Sequence, residues 1–349
     1  MIIFSEVIRL IIVTTSAFIV ALLVTPLWVK ALKNSGWEKQ IRAREYAPVY
    51  SKFHEKKAGT LNGGGLIIWS TVIALALFLG LMAGFFDGFW DRLNFIDRPQ
   101  TYLPLAALLL GGLLGLFDDW LGVIGVGGAN GGGLRVRHKF VAYTLAAAVG
   151  AWWFFVKLEW VELVLPFVGT FTVGPWMVPI FMFIIIATAF SANETDGLDG
   201  LFGGVALFGF AALTTVAFVL GRYDLATFGG AVIGALLAFL WFNIYPARFF
   251  MGDTGSMSLG ITMGVIAMLT NTLLLLPFFA VILVAESFSV IIQTIYKKVR
   301  GKKIFLSTPI HHHFEALGWH ESQVTMRFWI ISVMFSALGL VLFFLDRVL

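Results

Sequence analysis

Asp118 and Asp119 stand side by side at the end of the apolar run Leu108–Phe117. Charges at the edge of hydrocarbon are costly and usually functional. Two adjacent carboxylates also repel each other, so keeping both ionised calls for a cation. Mg²⁺ bound to substrate phosphates is one candidate, and a hydrated helix end is the plain alternative. A second acidic group, Asn193-Glu194-Thr195-Asp196-Gly197-Leu198-Asp199-Gly200, fills another short gap. Asp196 and Asp199 would share a face if they began a helix, and Gly197 and Gly200 would let backbone approach a ligand. An ordinary helix cap reads equally well there. Asp253, near Asn243, Pro246, Phe250 and Gly252, fits a metal ligand or a helix N-cap. Phe250 offers a ring for stacking a base, although an interfacial Phe is common.

His311-His312-His313 cannot share one helical face, so they are not the i,i+4 zinc pair of helical metalloproteases. In an irregular loop they would donate to phosphate oxygens or to a metal-bound ligand, with zinc ligation the lesser alternative. Glu286 lies inside an apolar span and needs a partner or a water-filled groove. Gln293 is seven residues on, near the same helical face; the two mark a groove wall or a helix–helix hydrogen bond. Gly127–Gly133 lacks the Lys-Ser/Thr of a Walker loop and reads as a linker.

The elements that must position these groups are membrane helices. The 349 residues are 59% hydrophobic and 13% charged, against about 25% charged in soluble domains, and the mean hydropathy is +0.90. No cysteine is present, which removes disulfides, thiol nucleophiles and Cys-ligated metals. Nothing resembles a nucleic-acid patch, because the basic residues flank spans. The expected fold is an all-α polytopic membrane protein of one domain, 1–349. Ten spans are read near 8–29, 64–86, 102–121, 140–158, 175–191, 201–220, 226–244, 256–275, 277–297 and 327–345, the eighth and ninth divided at Pro277. The first is too long, with its basic flank on the wrong side, for a cleaved signal peptide. Eighteen of the 24 Lys and Arg fall in alternate loops: eight from Lys30 to Lys57, then Arg135, Arg137, Lys139, Arg248, and six from Lys297 to Arg327. By the positive-inside rule these loops are cytoplasmic and both termini extracytoplasmic. All six histidines share that side. Residues 160–174 lie outside and read as a short β-hairpin.

In this order the blocks resemble the bacterial phospho-N-acetylmuramoyl-pentapeptide-transferase family, within the polyprenyl-phosphate N-acetylhexosamine-1-phosphate transferase superfamily. The resemblance rests on Lys57-Ala58-Gly59-Thr60, Phe117-Asp118-Asp119, Asn193 to Gly200, Phe242-Asn243 with Pro246-Ala247, and Phe250-Met251-Gly252-Asp253-Thr254-Gly255. It continues through Glu286-Ser287, Gln293 and Thr308 to Glu315, then Gly318-Trp319 and Arg327-Phe328-Trp329. It implies ten helices with both termini outside. The implied reaction moves phospho-MurNAc-pentapeptide from UDP-MurNAc-pentapeptide onto undecaprenyl phosphate at the inner face of the bacterial cytoplasmic membrane, with Mg²⁺.

The resemblance also implies roles. Asp253 looks like the Mg²⁺ ligand and Asp118 like the base acting on the lipid phosphate, with Asp119 in support. Lys57, Asn193, Asp196, Asp199, Phe250 and Gln293 would line the nucleotide pocket. Asn243, His311, His312 and His313 would hold diphosphate or sugar. A homodimer is left open. The family's lysine three residues after the Asp pair is Gly122 here, leaving Arg135, Arg137 or Lys139 to supply the charge. Its Leu in the Asn-Leu-Thr-Asp block is Glu194. Two rivals stand beside this reading: a sister transferase using UDP-GlcNAc or a similar sugar nucleotide, and an ion-coupled secondary transporter, against which the absence of internal repeats argues.

Overall fold

The computed structural model describes residues 2–38, 59–96, 98–127 and 132–348. Lys57 and His54 lie outside them. Long helices dominate: α1 (Ile2–Asn34), α2 (Leu66–Phe85), the short α3 (Phe89–Leu93), α4 (Pro99–Val123), α5 (Val136–Trp152), α6 (Met177–Thr195), α7 (Leu201–Val219), α8 (Tyr223–Asn243) and α9 (Asp253–Leu269). The short α10 (Leu276–Phe279), α11 (Val281–Arg300), the short α12 (Ile310–Ala316) and α13 (Glu321–Val348) follow. Among the described residues, eight helices are long and apolar enough to cross a membrane. The other two expected spans differ for plain reasons. Helix α9 has 17 residues, and α11 carries Glu286 inside and Lys297, Lys298 and Arg300 in its last turn. Those cations suit a helix C-terminus, which Gly301 closes in the left-handed region at φ 68°. The break between α9 and α11 falls earlier than Pro277, at Thr270–Thr272. There Thr270 Oγ1 bonds back to the Ile266 carbonyl at 2.8 Å and Asn271 takes φ 53°.

The hairpin expected near 160–174 is present. Strands β1 (Glu162–Leu165) and β2 (Gly169–Thr172) pair antiparallel, Glu162 opposite Thr172 and Leu165 opposite Gly169. It is tied to the α9 end by Asn271, whose Oδ1 accepts from Val164 N at 3.0 Å and whose Nδ2 donates to Glu162 O at 3.1 Å. A polar clasp holds the N-terminal end of α1: Arg9 pairs with Asp224 at 2.7 Å and with Glu6 at 3.1 Å.

The axis of the fold around the site is the pair α4 and α9, which share the most extensive contact among the described elements. Small residues let membrane helices approach until backbones touch. Gly111 and Gly115, one turn apart on α4, do this here. A Cβ on Gly111 would lie 2.8 Å from Ser258 Cα, and one on Gly115 would lie 2.1 Å from the Asp253 carbonyl oxygen. On the α2 side, a Cβ on Gly65 would meet Gly255 Cα at 2.2 Å. Hydroxyls then stitch the backbones: Ser258 Oγ donates to Leu108 O at 2.7 Å, Thr254 Oγ1 donates to Gly112 O at 3.0 Å, and Trp69 Nε1 donates to Thr254 Oγ1 at 3.0 Å. The ends of α4, α6 and α8 and the start of α9 therefore come together.

Gly115→Ala should separate α4 from α9 and destabilise the protein by about 1–3 kcal/mol, the usual cost of overpacking a tight contact. Gly84→Ala, whose new methyl would meet nothing within 4 Å, should leave stability unchanged or slightly higher. Thermal unfolding of both variants in detergent checks the contrast.

Candidate active site

Three carboxylates meet where α4 ends and α9 begins. Asp118 and Asp119 are both buried. Asp119 turns toward the start of α9. Its oxygens accept Asp253 N at 3.0 Å, Thr254 N at 2.9 Å and Asn62 Nδ2 at 2.9 Å. It thus caps a neighbouring helix, satisfying amides that have no intrahelical partner and placing negative charge at the positive helix end. Gly252, at φ 74°, leaves room for this: a Cβ there would lie 2.5 Å from Asp119 Oδ2.

Asp118 faces the other way, toward Asp253. Between them sits the ammonium of Lys139 on α5, 2.9 Å from Asp118 Oδ2 and bonded to Asp253 Oδ2. Asp118 also accepts the Leu134 amide, from the end of the glycine-rich segment, of which residues 128–131 lie outside the described ones. Asn193, on the last turn of α6, donates to Asp253 Oδ1 at 2.6 Å. Of the three basic residues offered as substitutes for the charge missing at Gly122, Lys139 is the one that reaches the carboxylates.

These oxygens suit a hard cation. Mg²⁺ is usually held by one or two carboxylates together with substrate phosphates, and Asp118 and Asp253 present two carboxylates to one cationic point. Among the described residues, no group of three or more His, Asp or Glu side chains converges as a self-sufficient metal cage. The donor set therefore fits Mg²⁺ shared with substrate phosphates, the cation that Asp253 is expected to bind.

The remaining expected residues separate into side chains near this centre and side chains that hold backbone. Asp196 is the C-cap of α6, and Asp199 sits in the turn before α7; they do not share a helical face. Asp199 Oδ2 accepts Ala247 N at 3.0 Å, while the Asp199 amide donates to Glu321 Oε1 at 2.6 Å. Asn243 takes Gly200 N at 3.0 Å and donates to Phe249 O at 2.8 Å. Together they staple the 196–200 turn to the 244–250 segment carrying Phe250, which is half-buried. Gln293 binds Ile304 N, Phe305 N and Phe305 O at 2.9–3.1 Å, pinning the segment after α11.

The histidines are not in an irregular loop. They occupy the first turns of α12, where the seven residues Ile310–Ala316 form a helix. His311 and His312 are buried and His313 is half-buried. His312 Nδ1 lies 2.7 Å from Glu315 Oε2, and His313 Nδ1 accepts Leu306 N at 3.2 Å. His311 meets Glu286, with Nδ1 to Oε2 at 3.1 Å and both side chains fully buried. Burial alone pushes the His311 imidazole down, but the Glu286 charge and hydrogen bond outweigh it and raise it above 6.5. The partner that an acid inside α11 required is this histidine. The His311 Nε2 edge abuts Gly197, where a Cβ would lie 2.2 Å away, so α12 packs on the acidic turn.

Asn62, Glu315 and Glu321 were missed as contributors. The i,i+3 spacing of His312 and Glu315 was a usable signal. Nothing in the spacing of Asn62 or Glu321 pointed to Asp119 or to the Asp199 amide.

The chain is similar to known proteins over most of its length. Residues 101–271 match the protein family Glycosyl transferase family 4. A phospho-N-acetylmuramoyl-pentapeptide-transferase of Chloroflexus aggregans is 35% identical over 345 residues, covering 95% of this chain and 89% of its own. That of Anoxybacillus flavithermus is 36% identical over 327 residues, covering 93% and 94%. That of Thermoanaerobacter pseudethanolicus is 36% identical over 331 residues, covering 93% and 96%.

Two outcomes follow from the geometry. Lys139→Met leaves Asp118 and Asp253 facing each other without a cation, and should cost about 3 kcal/mol of stability at neutral pH, read by thermal unfolding. His311 holds its proton more tightly folded than unfolded. Its contribution is therefore complete below about pH 6.5 and is lost as pH rises through the folded value. Unfolding temperature should fall over that rise in the parent protein, and Glu286→Gln should flatten the fall.

Proposed function

The chain belongs to the phospho-N-acetylmuramoyl-pentapeptide-transferase family, and on that premise we propose that the Asp118–Lys139–Asp253 centre carries the family's transfer. The reaction moves phospho-MurNAc-pentapeptide from UDP-MurNAc-pentapeptide to undecaprenyl phosphate, giving lipid I and UMP for peptidoglycan synthesis. The observation that carries the reading is the meeting of Asp118 and Asp253 around a single cationic point at the ends of membrane helices. A lipid phosphate and a water-soluble nucleotide have a membrane face as their meeting place.

Phosphoryl transfer depends on positioning and charge neutralisation more than on covalent help. Asp253 would hold Mg²⁺, which would supply that neutralisation when bound. Asp118 takes the proton of the attacking lipid phosphate. Lys139, released from the carboxylates, turns its ammonium to phosphate oxygens. Asn193 keeps Asp253 oriented, and Asp119 fixes the helix from which Asp253 projects. Asp196 and Phe250 line the nucleotide pocket, and Lys57, outside the described residues, is given the same role by the resemblance alone. Asp199, Asn243 and Gln293 shape it through the backbone they hold, and His311, His312 and His313 close its sugar-phosphate side.

The site faces the cytoplasm of a bacterium, on the side holding 18 of the 24 Lys and Arg. With Asp253–Leu269 and Val281–Arg300 added to the eight long apolar helices, the chain crosses the bilayer ten times and both termini lie outside.

The purified protein in detergent should release UMP from UDP-MurNAc-pentapeptide only when undecaprenyl phosphate and Mg²⁺ are both present, and UDP-GlcNAc should not replace the donor. Asp253→Ala and Asp118→Asn should each lower turnover by at least about 100-fold. Absence of UMP release with both substrates and Mg²⁺ supplied would overturn the reading, and near-normal rates in either variant would remove that residue's role.

A further inference from the structure

One polar group beside the site has no assignment. Tyr143 lies on α5 one turn beyond Lys139, on the same helical face. It is 1% exposed, among the largest fully buried side chains of the protein. Its hydroxyl is buried without any hydrogen-bond partner among the described residues. The ring is seated edge-on to Phe140, with centroids 6.1 Å apart, so its place is fixed by packing. Its hydroxyl lies within electrostatic reach of Asp253, Lys139, Asp118 and Glu194. A core tyrosine that served packing alone would gain from being phenylalanine, because a buried hydroxyl left unpaired is a net loss. The loss here falls beside the charged centre, one turn from the lysine that bonds Asp118 and Asp253.

We propose that the Tyr143 hydroxyl is a substrate-binding group, donating a hydrogen bond to a phosphate oxygen once substrate occupies the centre. The hydroxyl has one proton to give and is already aimed by the helix that aims Lys139. Ammonium and phenol, one turn apart, then form a two-point hold on one phosphate group. That group belongs either to the sugar-nucleotide diphosphate or to the lipid phosphate. This inference rests on the transferase reading above.

Tyr143→Phe keeps the ring and removes only the hydroxyl. UMP release is measured while each substrate is varied in turn, with the parent protein alongside. A hydrogen bond to a charged oxygen predicts a loss of about tenfold or more in kcat/KM. A rise in KM for the nucleotide assigns the bond to the diphosphate; a rise in KM for undecaprenyl phosphate assigns it to the lipid. The unfolding temperature without substrate should be unchanged or higher, while the stabilisation conferred by saturating UDP-MurNAc-pentapeptide or undecaprenyl phosphate should shrink. Parent-like kinetics for both substrates would overturn the proposal, as when a buried water alone satisfies the hydroxyl. A substrate-free unfolding temperature that drops while both KM values hold would overturn it too, as a purely structural role. If the parent protein itself releases no UMP, the transferase reading fails, which is distinguishable from an active parent matched by its variant.

Discussion

Three carboxylates crowded at the junction of two helices repel one another and resist burial, and the surrounding structure is arranged to make them tolerable. They receive two different answers. Asp119 is given the amide end of α9. Asp118 and Asp253 are given one lysine between them. The first solution is permanent, because backbone amides cannot leave. The second is exchangeable, because an ammonium on a flexible stem can be replaced by another cation. Helix capping and cation pairing are thereby divided between adjacent residues of one sequence pair.

The division depends on backbone proximity. Asp119 can reach the α9 amides because Gly111 and Gly115 let α4 lie against it. A bulkier face would move the capping carboxylate away and leave buried amides unpaired. The hydroxyls of Ser258 and Thr254 reinforce the contact by bonding to α4 carbonyls. The acidic turn after α6 is treated similarly. Asn243, Glu321 and Thr325 hold its backbone, and His311 packs against Gly197 while paired with Glu286. Segments distant in the chain are held here by side chain to backbone bonds, which pair buried amides and carbonyls that would otherwise be costly.

Much of this was legible beforehand. Apolar length located the long helices, charge sidedness grouped the polar gaps, and motif order grouped Asp118, Asp119 and Asp253, while Asn193, expected in the nucleotide pocket, turns out to bond Asp253. Directions were not legible. Adjacent aspartates look alike in a sequence, and only the turn of α4 makes one a cap and the other a face of the centre. Asp199, Asn243 and Gln293 read as ligand contacts because polar residues in gaps invite that reading, whereas their partners are backbone groups that no side-chain pattern reveals. The histidines looked irregular because three in a row match no helical stripe. A seven-residue helix buried on several sides needs no stripe. Lys139 was in view only as one of three basic residues, since its reach depends on how α5 is set against α4.

The length of α9 has a consequence for the membrane itself. Its 17 residues span roughly 25 Å at about 1.5 Å per residue, and the stretch of α4 from Pro99 to Gly115, which ends beside Asp253, measures about the same. Typical hydrocarbon is about 30 Å thick. A helix of that length is several ångströms shorter than the hydrocarbon is thick, so α9 set upright with its far end at one edge of the hydrocarbon would leave its Asp253 end short of the other. In that setting a thinner bilayer would need less deformation to bring a lipid headgroup level with Asp253.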